Sequence, residues 1–256
     1  MRVLGIFSNA VNLCADADGE ILTIVSKDIG RSSSSLMIDN VSRLVLMIDE
    51  IGYCRANNIR FLNTEIDLSK APVWCGCLSM TLAGGYKGSL SWESICALKS
   101  ALERGETLNC TWRENRNSLL MRGIARLPDD PESAVRGLIG LGPGLTPAGD
   151  DMILGFLAVI NHFTDDDVYL QKLRNAINTS LHATTDLSAQ FLKNALRYEY
   201  HEYIEGVLIA LCDTPESIIP AVTKLLSIGA TSGFAIATGM YNAAMLCMNG
   251  KMSNAT

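Results

Sequence analysis

Residues 140–151 read Gly-Leu-Gly-Pro-Gly-Leu-Thr-Pro-Ala-Gly-Asp-Asp and run directly into the apolar segment Met152–Ile160. Glycines permit positive φ values and a close approach of backbone to a ligand, and prolines stiffen the loop around them. A helix that begins at about Gly149 or Asp150 presents free N–H groups in its first turn. This signature segment, residues 140–151, therefore predicts a rigid loop that delivers a helix N-terminus to a small polar ligand.

A plain helix start is the alternative interpretation of the signature segment. Thr146 or Asp150 can serve as the N-cap, and acidic residues in a first turn are favoured by the helix dipole. Capping alone does not require glycines, prolines and a hydroxyl together in front of two carboxylates. We therefore favour a ligand site at this helix start.

Asp150 and Asp151 are the candidate catalytic residues, together with the Thr146 hydroxyl. The carboxylates can act as a base, orient an amino group or hold Mg²⁺ through water, which makes magnesium the candidate cofactor. Adjacent residues on a helix point about 100° apart, because one turn contains 3.6 residues. We therefore expect one carboxylate to face the site and the other to cap the helix or hold the loop.

Composition restricts the class of partner. The chain has 256 residues, 48% of them hydrophobic, and a formal net charge of −6, which argues against nucleic acid or an anionic membrane surface as a partner. Its apolar stretches are too short to span a bilayer. Eight cysteines without a recognisable secretion signal predict a reduced, cytoplasmic protein. The three histidines match no common zinc pattern.

The two halves of the chain differ in their patterns of apolar residues, and together these patterns predict an α+β protein. We expect a β-rich portion with one helix over residues 1–125, packed against an α-helical portion over residues 126–256; the two could also form one continuous domain. Strands are expected at Val3–Phe7, Ile21–Val25, Ile59–Leu62, Cys75–Leu82 and Leu119–Ile124, with a turn over residues 16–19 between the first two. Leu36–Ile51 fits either a strand or a helix.

Capping and breaking residues predict the helices. Ser91 caps a helix that runs to Arg104 and that Gly105 ends. Beyond residue 130, helices are expected at residues 131–140, 150–163, 168–181, 184–196, 202–211, 215–226 and 231–248. The last of these is apolar and rich in small residues, which is typical of a buried central helix.

A Gly-x5-Gly frame occurs twice, at Gly149–Gly155 and at Gly233–Gly239, each time after hydroxyl residues. Glycines at two helix starts favour either a tight helix crossing or two helix N-termini that converge on one anion. Residues 184–188 start a further helix with hydroxyls, which capping also explains. The candidate substrate-binding residues from these patterns are Gly142, Gly144, Leu145, Gly149, Thr185, Ser188, Thr231, Ser232 and Gly233. Arg113, Arg116 and Arg122 are further candidates for holding a carboxylate or phosphate.

The signature segment resembles the defining motif of a bacterial family long catalogued as a domain of unknown function. Its best-known member is a subunit of the oxamate carbamoyltransferase of anaerobic allantoin (purine) degradation. Three weaker stretches resemble family motifs in the expected order: residues 7–13 with Gly19, residues 184–188 running on to Leu192 and Ala195, and residues 229–233 with Gly239. The first of these adds Asn12 to the substrate-binding candidates.

Three positions depart from the family pattern as we align it. The family usually has an Asp where this chain has Ala235, a glycine near Tyr198, and a proline that falls among Ser32–Ser35 here. Because this chain has alanine at position 235, it lacks a third carboxylate for any role that needs one.

The resemblance implies a subunit of, or an enzyme in, carbamoyl transfer on small carboxylates. The implied partners are a small carboxylate or carbamoyl compound and sister subunits of a carbamoyltransferase complex, or a homo-oligomer. Two alternatives remain open. One is a Mg-nucleotide-dependent small-molecule kinase-like enzyme, although the segment has no lysine and no P-loop ending. The other is a non-catalytic assembly subunit that binds a small anion.

Overall fold

A computed structural model describes residues 1–15, 19–74, 90–108 and 119–253, with side chains of residues 106–108 and 250–253 excluded. It confirms the α+β class: the strands lie within residues 2–67, and helices follow. The chain divides into two compact units, Met1–Gly76 and Cys77–Thr256, which are described separately. Disulfide bonds involve none of the cysteines among the described residues, which are Cys14, Cys54, Cys96, Cys212 and Cys247.

The N-terminal unit contains two small sheets. The strands are β1 Arg2–Ile6, β2 Ala10–Cys14, β3 Ile21–Ser26, β4 Ser35–Ile38, β5 Tyr53–Arg55, β6 Asn58–Arg60 and β7 Glu65–Asp67. The first sheet has the order β1-β2-β3-β4, antiparallel except for the parallel pair β3–β4, and the second is the antiparallel β5-β6-β7. Val3, Leu13 and Ile24 are fully buried in the core between these strands and their neighbours.

The strands expected near residues 3–7, 21–25 and 59–62 are present, but β2 was missed. The expected turn at residues 16–19 therefore follows β2 rather than β1, and most of it lies outside the described residues. The undecided segment Leu36–Ile51 is a strand only to Ile38, because Asn40 then caps a short 3₁₀ turn at Val41–Arg43. The expected strand Cys75–Leu82 lies outside the described residues.

The C-terminal unit is helical throughout its described part. Its helices are α1 Trp92–Leu108, α2 Leu119–Arg126, α3 Pro131–Leu138, α4 Ala148–Phe163, α5 Asp167–Ser180, α6 Asp186–Leu196, α7 Glu202–Cys212, α8 Pro215–Leu226 and α9 Ser232–Ser253. In the described part of the chain, no helix combines the length and the hydropathy that a transmembrane segment requires.

Two expectations about this unit were wrong. Leu119–Ile124 is helical rather than extended, because Leu120, Ile124 and Leu127 recur at helical spacing and pack into the core. Gly105 does not end α1, which Ser91 caps as expected. A Cβ at Gly105 would lie 2.9 Å from a Leu226 methyl, so this glycine permits close packing inside the helix.

The core of the helical unit is the crossing of α4 and α9. All residues from Met152 to Ile160 are buried. A Cβ on Gly155 would lie 2.0 Å from the Ile236 carbonyl oxygen, and a Cβ on Gly239 would lie 2.1 Å from the Met152 carbonyl oxygen. The packing interpretation of these two glycines is therefore correct, because each lies directly against the backbone of the opposite helix.

Tyr198 follows the C-terminus of α6 in the left-handed region, with φ at 65°. Its N–H donates to the Ala195 carbonyl and that of Glu199 to the Asn194 carbonyl, the hydrogen bonds of a helix C-cap that glycine usually makes. This geometry explains why the family pattern has a glycine near this position. The Tyr198 ring instead contacts His162 edge-on and lies under the Arg174 guanidinium, at 5.1 Å from the ring centre.

His162, near the end of α4, predicts a pH-dependent stability. Burial lowers the pKa of His162 from 6.5 to about 4, and its Nε2 has no hydrogen-bond partner among the described residues. Between these values the unfolded chain takes up a proton that the folded protein does not, so stability falls as the pH drops from 6.5 to 4. We expect the free energy of unfolding of the wild type, relative to that of His162→Phe, to be lower at pH 4 than at pH 7 by up to about 3 kcal/mol, as measured by chemical denaturation. Equal losses in both proteins would contradict this assignment.

Candidate functional site

The loop of the signature segment, residues 140–147, is shaped by glycines with positive φ. Gly140, Gly142 and Gly144 have φ values of 70°, 126° and 95°, a region that residues with a Cβ rarely adopt. Gly149, just inside α4, donates its N–H to the Leu141 carbonyl at 2.9 Å. A Cβ there would lie 1.9 Å from the Leu138 carbonyl oxygen. The loop therefore folds tightly back between the end of α3 and the start of α4.

Asp150 holds this loop in place. Its side chain is 1% exposed, its Oδ1 accepts a hydrogen bond from the Gly140 N–H at 2.7 Å, and its Oδ2 accepts one from the Thr184 hydroxyl. Both oxygens of Asp150 are thus used to connect the first residue of the loop to the segment before α6. Thr184 lies in the hydroxyl-rich stretch of residues 184–188 but was not among the predicted site residues. Its position next to Thr185 is the sequence feature that could have identified it.

Asp151 has a different environment, although it is the next residue. It is 3% exposed, and its buried Oδ2 has no hydrogen-bond partner among the described residues. Burial raises the pKa of Asp151 from 3.8 to about 8; a hydrogen bond with Ser232 opposes the rise, and the charge of Asp150 adds to it. At neutral pH this carboxyl is therefore mostly protonated, with a pKa suited to proton transfer.

Hydroxyl groups connect Asp151 to the loop. Ser232, the first residue of α9, lies within hydrogen-bond reach of Asp151, and its Oγ is 3.0 Å from the Thr146 Oγ1. Thr146 and Ser232 are both half-buried, whereas Leu145 is exposed. The series Asp151, Ser232, Thr146 thus runs from a buried carboxyl to the exposed part of the loop.

Thr185 attaches the same loop to α6. Its hydroxyl donates to the Leu145 carbonyl at 2.5 Å and accepts from the Ser188 N–H at 3.1 Å, so that Thr185 is also the N-cap of α6. Ser188 itself is buried. The helix starts of α4, α6 and α9 therefore meet at the signature segment, which brings together Thr146, Asp150, Asp151, Thr185 and Ser232.

Other candidates lie apart from this cluster or have their polar groups engaged. Gly233 donates its N–H to the Ile228 carbonyl at 3.0 Å, and a Cβ on it would lie 2.0 Å from the Leu225 carbonyl oxygen. Its role in the fold is packing against α8. Thr231 is half-buried just before α9, and its carbonyl accepts from the Ala235 N–H.

Asn12 lies in the N-terminal unit, on β2, where its Oδ1 accepts a hydrogen bond from the Thr23 hydroxyl at 3.1 Å. Arg122 is exposed on α2, and Arg113 and Arg116 lie outside the described residues. Ala235, where the family usually has an Asp, is fully buried one turn after Ser232.

The two aspartates do not fit a magnesium site. Both oxygens of Asp150 accept hydrogen bonds from protein donors, and Asp151 offers a single free oxygen on a carboxyl that is mostly protonated. Within the described residues, no group of three or more His, Cys, Asp or Glu side chains is placed to hold a metal ion. Mg²⁺ prefers several ionised oxygen ligands in octahedral geometry, so we derive no step through a metal.

The fold and the site define an α+β protein whose helical unit carries a Gly-Pro-rich loop and three helix starts around a buried carboxyl. Residues 138–244 match the model of a protein family described as oxamate carbamoyltransferase subunit AllH. The match contains α4, α6 and the start of α9, and it supports the suspected family over residues 138–244, which are less than half of the chain. No solved structure is significantly similar to the chain.

Proposed function

We propose that the chain is a subunit of a carbamoyltransferase-like assembly of purine (allantoin) nitrogen catabolism, and that its signature segment binds a small carboxylate or carbamoyl compound. The family description, that of an oxamate carbamoyltransferase subunit, supports the reaction class and the presence of sister subunits. The observation that carries the ligand site is Asp151: a buried carboxyl with a free oxygen is costly to the fold, and such costs occur at functional sites.

The cluster offers the groups that such a ligand needs. Within the described residues, the N–H groups of Gly144, Leu145 and Thr146 have no acceptor, so they are available to a carboxylate or to a developing oxyanion. The Thr146 and Ser232 hydroxyls can donate to or accept from a carbamoyl amide. Asp151 can donate or take up a proton near neutral pH.

A thermal-shift screen of the purified chain tests this function. The compounds are carbamoyl phosphate, oxamate, oxalurate, oxalate, phosphate and Mg·ATP, and the proteins are the wild type, Asp151→Ala and the control Gly137→Ala. Gly137 lies on α3, and a Cβ there has no neighbour within 4 Å. We expect oxamate or a carbamoyl compound at 100 times its Kd to stabilise the wild type and the control by about 3 kcal/mol, or roughly 5–10 °C. Asp151→Ala should lose this shift.

The remaining outcomes separate the alternatives. Stabilisation by Mg·ATP alone would contradict the proposal and support a kinase-like enzyme. An equal shift in Asp151→Ala would place the ligand elsewhere. If no compound shifts the melting temperature of any of the three proteins, the isolated chain has no complete ligand site. The better interpretation is then the non-catalytic assembly subunit.

A further inference from the structure

We infer that Asp151 binds its ligand as a neutral acid, by donating a hydrogen bond to a carboxylate oxygen, so that the substrate class at this site is a small carboxylate anion. This inference rests on the proposed function, since it assumes that the signature segment binds a small ligand. It goes further because it names the ligand group and the protonation state in which Asp151 recognises it.

The unequal hydrogen bonding of the two aspartates assigns the proton. Asp150 accepts from a backbone N–H and from a hydroxyl, and such donors stabilise an ionised carboxylate. Asp151 has the Ser232 hydroxyl and a free oxygen. Asp151, the buried carboxyl with a free oxygen and a like charge beside it, therefore keeps the proton.

No cation of the described residues offsets a charge on Asp151. The groups that act on it are Ser232, from α9, and Asp150, from its own helix α4; Thr184, which precedes α6, contacts Asp150 and is neutral. An ionised Asp151 would repel Asp150, and it would also repel an anionic ligand. A carboxylate ligand and a protonated Asp151 therefore favour each other, because the shared proton removes this repulsion.

The surrounding backbone favours an anion over a neutral amide. The N-termini of α4 and α9 meet here, and each carries a partial positive charge. The unpaired N–H groups of Gly144 and Leu145 belong to the same loop. Ser232, which is within hydrogen-bond reach of Asp151, lies 3.0 Å from the Thr146 hydroxyl, so two half-buried hydroxyls connect the buried carboxyl to the exposed loop.

Three compounds of nearly identical size test the inference: oxalate with two carboxylates, oxamate with one carboxylate and one amide, and oxamide with two amides. Calorimetric titrations at pH 6.5 and pH 9 compare wild type, Asp151→Asn and Asp151→Ala. We expect oxamate and oxalate to bind the wild type at least 10-fold more tightly than oxamide. Their affinity should fall about 10-fold at pH 9, where roughly one Asp151 in ten keeps its proton.

The two variants separate hydrogen-bond donation from mere occupancy. Asp151→Asn keeps an N–H donor and has no proton to lose, so it should bind oxamate with the same affinity at both pH values. Asp151→Ala has no donor and should bind at least 10-fold more weakly. If oxamide binds as tightly as oxamate, or if affinity rises at pH 9, the inference is overturned while the proposed ligand site stands. If none of the three compounds binds, the inference and the proposed oxamate-type ligand site both fail.

Discussion

Gly239→Ala is expected to lower the free energy of unfolding of the helical unit by about 4 kcal/mol or more, and to leave much of the protein insoluble. The added Cβ would lie 2.1 Å from the Met152 carbonyl oxygen and 2.8 Å from the Phe156 backbone nitrogen. These are backbone atoms of α4, a helix buried on all sides, so no side-chain rotation relieves the clash. The helices must separate, which opens the largest contact in the core.

Matched controls distinguish this clash from a general effect of replacing glycine. A Cβ on Gly206, within α7, meets no atom within 4 Å. Because alanine favours helix over glycine, Gly206→Ala should stabilise by up to about 1 kcal/mol. Urea denaturation of the soluble fraction measures both variants. If Gly239→Ala unfolds at the same urea concentration as the wild type, the α4–α9 crossing is not as close as described.

Asp150→Asn and Asp151→Asn are expected to change stability in opposite directions at pH 8. Asp150→Asn weakens the bonds to Gly140 and Thr184, because a neutral amide oxygen replaces the carboxylate on the Gly140 N–H and the Thr184 hydroxyl must turn to accept from the amide N–H. The expected loss is roughly 2–3 kcal/mol. At pH 8 the unfolded chain has an ionised Asp151, which on folding must either take up a proton or be buried with its charge; Asp151→Asn removes this cost and should stabilise the protein. The upper bound is on the order of 5 kcal/mol, for a pKa that rises from 3.8 to about 8.

The pH dependence of stability tests independently whether Asp151 destabilises the folded protein at pH 8. Between pH 4 and pH 8 the folded protein keeps a proton on Asp151 that the unfolded chain has released. Its contribution to stability is therefore complete below about pH 4 and is lost as the pH rises to about 8. His162 has the opposite slope between pH 6.5 and 4, so the Asp151 term is measured as the difference between wild type and Asp151→Asn. A constant difference from pH 4 to pH 9 would contradict a protonated Asp151.

Local sequence chemistry predicted the elements of the site well. Pro147, Gly149 and the two aspartates marked the start of α4 within two residues, and hydroxyl residues marked the starts of α6 and α9. These features are readable because capping and loop stiffness depend on near neighbours. The expectation that one carboxylate holds the loop is met by Asp150, which bonds to Gly140 and Thr184.

Features that depend on distant contacts were not readable in this way. Gly105 was misassigned because its place inside α1 depends on packing against Leu226, far along the chain, whereas Leu119–Ile124 was misassigned although Leu120, Ile124 and Leu127 have helical spacing. The difference between Asp150 and Asp151 is of the same kind. Thr184 is 34 residues from Asp150, and Ser232 is 81 residues from Asp151, so only the folded chain shows which carboxyl has partners for both oxygens.

The most direct measurement is a ¹³C NMR titration of the aspartate carboxyl carbons from pH 4 to pH 10, with and without oxamate. We predict one resonance that titrates near pH 8, is missing in Asp151→Asn, and shifts when oxamate is added. That result identifies Asp151 as a protonated acid in contact with the ligand. If every aspartate carboxyl titrates below pH 5, or if the resonance that titrates near pH 8 does not shift when oxamate is added, Asp151 is not the acid of a carboxylate-binding site.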